Sequence, residues 1–205
     1  MRICIDPGHG GWSPGAVAAN GVTEKNLNLP VTGKLAEILR RAGHEVLETR
    51  TTDIGLAPPG LPADRRANAD LGARTALARK FKAELFISVH CNASGASDPK
   101  RTAHGIEVIH YDQPELTRSV LRYMLVFTGA ASRGIKSPPP TSDPGDDPAR
   151  LAHWPVLHDP GCPAILVECG FLTHVAELAR LMEPAYQVRL ACGLAAGIMA
   201  HYEGR

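Results

Sequence analysis

Three residues able to do chemistry stand where short apolar runs end. His9 lies in IDPGHGG, His90 in FISVHCNA and Glu168 in ILVECGF. Each segment reads as a strand leading into a polar residue. In an open parallel sheet, ligands bind beyond the carboxyl ends of the strands, so these residues converge on one edge although they are distant in sequence. Two histidines delivered this way point to a metal. A catalytic zinc takes three protein ligands and keeps a fourth position for water. The third ligand should be His, Asp or Glu. Glu24, on the loop leaving the His9 turn, is the natural candidate. Asp6 competes, although its earlier place in the strand suits support of the glycine turn. Plainer uses exist for each. A histidine can occupy a turn or a core, and a glutamate at a helix start complements the helix dipole. Glu168 resists such a reading, because an unpaired carboxylate in an apolar strand costs on the order of several kcal/mol.

These residues need strands to carry them. Strand patterns cover residues 2–6, 45–50, 84–90, 105–111 and 163–169. Helical patterns cover 63–82, 114–131, 175–182 and 184–202. An earlier helix is marked by Leu35, Ile38, Leu39 and Ala42 at helical spacing, with Gly43 as its stop. Pro30 is expected in its first turn, near Asn28, since proline cannot sit deep inside a helix. Residues 55–62 and the proline-rich 137–147 read as loops. Alternating strands and helices predict one α/β domain over residues 1–205. Its expected form is three-layered, with a twisted, mostly parallel sheet of about six strands flanked by helices.

Composition narrows the classes further. Of 205 residues, 22 are Lys or Arg and 21 are Asp or Glu, a net charge of +1. That balance offers no basic face for nucleic acid. The apolar runs are strand-sized, so no membrane insertion is expected. No secretory signal is visible at the start. Five cysteines without a CxxC pair read as small core residues.

IDPGHGG, Glu24 before a helix, TRTTD, FISVHCNA, GIEV, RGI and ILVECGF occur in one order. In this the chain resembles the zinc-dependent N-acetylmuramoyl-L-alanine amidases of type 3, from about residue 3 to residue 202. The resemblance implies one zinc per chain, held by His9, Glu24 and His90, with Glu168 as the catalytic carboxylate. It implies peptidoglycan as the substrate, cut at the amide between N-acetylmuramic acid and L-alanine. Asn92 and Glu107 are candidate substrate-binding residues. Asn92 can instead order its loop, and Glu107 can instead form a cross-strand pair. Arg50 and Asp53 look like residues that fix loops. Some family members carry a helical insertion after the GIEV strand that blocks the zinc. Here only Asp112 and Gln113 separate that strand from the next helix, so no activator protein is expected, and a monomer is. No wall-binding repeat is present. Cytoplasmic synthesis with release by lysis, as for an endolysin or autolysin, is one expectation. A domain cut from an exported protein is the other. The competing functions are a zinc carboxypeptidase-like peptidase and a wall-binding module without catalysis.

Overall fold

The computed structural model describes residues 1–95, 98, 100–137 and 154–204. Along them run β1 (Arg2–Pro7), α1 (Glu24–Arg41), β2 (Glu45–Glu48), α2 (Ala63–Phe81), β3 (Leu85–Asn92) and β4 (Ile106–Ile109). Then come α3 (Pro114–Thr128), β5 (Ser132–Lys136), α4 (Pro155–His158), β6 (Ala164–Phe171), α5 (Val175–Met182) and α6 (Pro184–Glu203). The strands form one sheet in the order β2-β1-β3-β6-β4-β5. β2, β1, β3 and β6 run parallel. β4 is antiparallel to β6, and β5 runs parallel to β4. The sheet is mostly parallel, as expected, with a reversed pair at one edge.

Alternation along the strands builds the layers. Ile3, Ile5, Ile87, Val89, Ile165 and Val167 pack on the side of α1, α3 and α6. Cys4, Phe86, Ala164 and Leu166 pack on the side of α2 and α4. Both faces are covered, which is why the central strands are mostly apolar. The same parity places Asp6, Ser88, His90 and Glu168 on the α2 side. All five cysteines are free. Among the described residues, no helix is long and apolar enough to cross a membrane.

Several expectations need correction. Helix α1 begins at Glu24, so Pro30 lies inside it and not in its first turn. An internal proline costs about 3 kcal/mol. The helix persists because its first turn is anchored from outside: the Glu24 carboxylate accepts hydrogen bonds from the amides of Ala16 and Cys91. β5 escaped the sequence reading because it is a mostly polar edge strand, SRGIK. α4 is too short to show periodicity. α3 stops at Thr128, where Gly129 adopts a left-handed cap. The predicted loop 137–147 lies, from residue 138 on, outside the described residues.

A buried ion pair ties β1 to α2. Asp6 and Arg74 are 1% and 2% exposed, and Arg74 Nη1 meets Asp6 Oδ1 at 2.7 Å. Thr49 and Ser88 donate their hydroxyls to the same carboxylate at 2.6 and 2.8 Å. Arg74 also donates to Asp70, through Nε, and to the carbonyls of Pro7 and His9. Arg50 donates to the carbonyls of Pro7 and Gly8. Burial alone would raise the Asp6 pKa. Arg74 and the two hydroxyls outweigh it and hold the carboxyl below its usual range.

Arg74→Met should therefore cost about 3–5 kcal/mol of stability, because it leaves Asp6 buried and unpaired. Denaturant unfolding measures this. A depressed folded-state pKa stabilises above the unfolded value of about 3.9 and is lost as pH falls through the folded value. Wild-type stability should fall on acidification below about pH 4 more steeply than that of Asp6→Asn, in parallel melts.

Candidate metal centre

His9 sits in the turn that leaves β1. Its backbone is left-handed, with φ of 63°. That conformation is uncommon outside glycine, and Arg74 Nη2 secures it by bonding the His9 carbonyl at 2.8 Å. His90 comes from β3, and Glu24 opens α1. His9 Nε2 lies 3.0 Å from Glu24 Oε2, and His90 Nδ1 lies 2.8 Å from Glu24 Oε1. The three ligand atoms all lie within 4.8 Å of one another. The His9 and His90 rings meet edge to face, 5.0 Å apart. Two glycines leave room for them. A Cβ on Gly8 would fall 2.4 Å from His90 Nε2. One on Gly15, whose φ is +69°, would fall 2.5 Å from Glu24 Oε2 and 2.6 Å from His9 Cδ2.

The surroundings favour a charged Glu24. Burial alone would raise its pKa, but hydrogen bonds from His9 and His90 hold it well below the carboxylate range. Burial opposes protonation of His90, and its bond to Glu24 more than restores it, so the His90 pKa is raised. His9 Nδ1 lies 3.0 Å from Ser13 Oγ. Ser13 thus holds the ring nitrogen that faces away from Glu24 and fixes the orientation of the imidazole.

Glu168 stands beside His90 across the β3–β6 pairing, and Glu107 stands beside Glu168 across the β6–β4 pairing. Glu168 Oε2 is buried and has no hydrogen-bond partner. Its pKa is pushed up to about 8, first by burial and then by Glu24 and Glu107, with His90 opposing. Glu107 accepts from Asn92 Nδ2 at 2.8 Å and from Arg133 Nε at 2.9 Å. The Asn92 Oδ1 accepts from the Ala93 amide. Asn92 thus orders its loop and braces Glu107 at once, and Glu107 does form the cross-strand pair.

The structure brings His9, Glu24, His90 and Glu168 to one edge, with Asn92 and Glu107 adjoining. Asp6 lines the same cavity as the histidines but does not join the cluster, its oxygens being taken by Arg74, Thr49 and Ser88. Asp53 accepts from the Gly11 amide and pairs with Lys25, fixing the loop. Sequence reading missed Ser13, Asn28, Asp70 and Arg74. Asn28 donates to the Gly8 carbonyl and to Glu24 from one helical turn beyond it, a spacing that could have drawn attention. A cavity of about 150 Å³ opens between the two histidines and α2, with Trp12 and Leu71 in its wall.

The chain is similar to known proteins over nearly its whole length. The pattern of the N-acetylmuramoyl-L-alanine amidase family matches residues 3–200. The germination-specific N-acetylmuramoyl-L-alanine amidase of Bacillus subtilis is 29% identical over 201 residues, covering 98% of this chain and 79% of that protein. The probable N-acetylmuramoyl-L-alanine amidase AmiB of Haemophilus influenzae is 27% identical over 251 residues. This chain spans only 53% of its length. Among solved structures, the CwlD amidase of Clostridioides difficile in complex with the GerS lipoprotein superposes with a TM-score of 0.83 at 26% identity. That match covers 100% of this chain and 99% of the other. A family pattern spanning nearly the whole described fold, centre included, makes this chain a member of the N-acetylmuramoyl-L-alanine amidase family.

Proposed function

We propose that the chain hydrolyses the amide between N-acetylmuramic acid and L-alanine in peptidoglycan, with one zinc held by His9, Glu24 and His90. The observation that carries this reading is the two-histidine, one-glutamate cluster with the buried, unpartnered Oε2 of Glu168 beside it. The donor set fits zinc. Two imidazole nitrogens and a carboxylate oxygen within 4.8 Å of one another are donors of the kind a catalytic zinc takes. Three protein ligands leave the open position that catalysis needs.

Zinc bound there supplies Lewis acidity, which acidifies a water and polarises the scissile carbonyl. The rest falls to the chain. Glu168 Oε2 takes the proton of the attacking water and passes it to the departing alanine nitrogen as the C–N bond breaks. Its Oε2 has no other hydrogen-bond partner among the described residues and so is free for that proton. Asn92 and Glu107 extend the same row and line the path of the stem peptide. All ligands and Glu168 come from one chain, so a monomer suffices. Only four residues connect β4 to α3, too few to block the cluster, which supports activity without an activator.

The test is mass spectrometry of peptidoglycan digested by the purified, zinc-loaded protein alone. Free stem peptides beginning at L-alanine are expected. Glu168→Ala should lower their release by roughly 10²–10⁴-fold while zinc stays bound. Release of single terminal amino acids would instead indicate a carboxypeptidase, and an intact wall would indicate a binding module. Gly15→Ala should weaken zinc binding roughly 10–100-fold in a chelator competition, because its Cβ displaces the Glu24 and His9 side chains.

A further inference from the structure

The row that begins at His90 does not end at Glu107. Beyond it, on β5, Arg133 is held twice. Its Nε donates to Glu107 Oε2 at 2.9 Å, and its guanidinium carbon sits 4.8 Å from the centre of the Phe171 ring. A guanidinium is a flat fork of five donors. With Nε committed and the plane fixed over a ring, the two Nη groups have no hydrogen-bond partner among the described residues, on a side chain 37% exposed. They border an open cavity of about 630 Å³ whose rim also carries Lys136, Ser132 and His104. Asp98 is on that rim too, but its carboxylate is taken up by Ser94, Thr102 and the Ala103 amide. Glu107 and Asp98 offset the charges of Arg133 and Lys136, so what the groove offers a ligand is free donors.

We propose that this groove is a carboxylate subsite, in which the two Nη groups of Arg133, with Lys136 beside them, hold the free carboxylate of the residue that follows alanine. The proposal rests on the amidase reading and names what that site selects. The spacing suits it. Strands lie about 4.8 Å apart, so β4 and β5 are roughly 5 and 10 Å from β6. Two residues of extended peptide cover roughly 7 Å, and Arg133 reaches back from β5 to meet them, since its Nε stands 2.9 Å from Glu107 on β4. A planar fork grips a carboxylate through two parallel bonds, and an amide in that place loses one of them along with the charge. Arg133 thus sets specificity and positions the scissile bond without touching the reacting atoms.

Two synthetic substrates test this. One is N-acetylmuramoyl-L-alanyl-γ-D-glutamyl-L-lysine amide with the glutamyl α-carboxylate free, and the other carries that group as an amide. The wild type should prefer the free acid about 10- to 100-fold in kcat/KM, mostly through KM. In Arg133→Gln the ratio should fall to near one. Arg133→Lys should recover only part of it, since a lysine lacks the fork. Lys136→Ala should reduce it less. A wild type indifferent to amidation overturns the subsite. So does an Arg133→Gln enzyme that keeps the preference, or one in which both substrates slow in equal proportion. Calorimetric binding of the product peptide, L-alanyl-γ-D-glutamyl-L-lysine amide, separates this from the amidase reading. Binding that needs both the carboxylate and Arg133 supports the subsite even if neither substrate is cut, in which case the amidase reading alone fails. Binding blind to both overturns the subsite.

Discussion

The contact between Asp6 and Arg74 is the one on which the metal centre depends. It joins the second-last residue of β1 to the middle of α2, with both side chains buried. Through it one guanidinium reaches the turn that carries His9. Its Nη groups take the carbonyls of Pro7 and His9, and Arg50 takes those of Pro7 and Gly8. Buried carbonyls without partners are costly, so a turn with this many inward-facing acceptors needs donors supplied from elsewhere. A lysine could not replace Arg74, because it is a point charge and not a spread fork. The left-handed backbone at His9 is stable because this frame leaves it no other conformation, and the imidazole is thereby aimed at Glu24.

The second constraint is the reversal of β4 and β5. In a wholly parallel sheet, only residues at strand ends would gather at the site. Here β4 runs the other way, so Glu107, near its start, lies level with Glu168, well along β6. Three carboxylates, Glu24, Glu107 and Glu168, are thereby crowded into one edge. Each is managed differently. Glu24 is given hydrogen-bond donors, Glu107 is given Asn92 and Arg133, and Glu168 is left with a buried oxygen and a raised pKa. Side chains of the same chemical type acquire different chemistry from their neighbours alone.

Much of this was legible in the sequence, for physical reasons. Central strands covered on both faces must be apolar, and that made β3 and β6 readable together with the polar residues in which their apolar runs end. The glycines on either side of His9 mark a turn by their residue type alone. The rest was hidden because it depends on partners remote in sequence. Arg74 and Asp70 sit four apart in a helix rich in Ala and Arg, the usual look of a solvated face, and nothing local says that they are buried. Pro30 argued for a later helix start because the bonds that hold Glu24 come from Ala16, His9 and β3. β5 has almost no apolar content because it lies at the sheet's edge, where only one neighbour and little burial are asked of it.

The strand order also dictates the sequence of events by which the centre comes into being. β3 lies between β1 and β6, and β6 is close to the last element made. The bond from Ser88 to Asp6 closes 82 residues of chain, and that from His90 to Glu24 closes 66. Closures of this length lose entropy that local contacts cannot return until the sheet assembles around them. No short fragment holds His9, Glu24 and His90 near one another. A cation held by these three residues would therefore not nucleate the fold in the way it nucleates a zinc finger, and would meet a framework already built. Metal acquired at this cluster would then report the completed tertiary structure, wherever the newly made chain first reaches it.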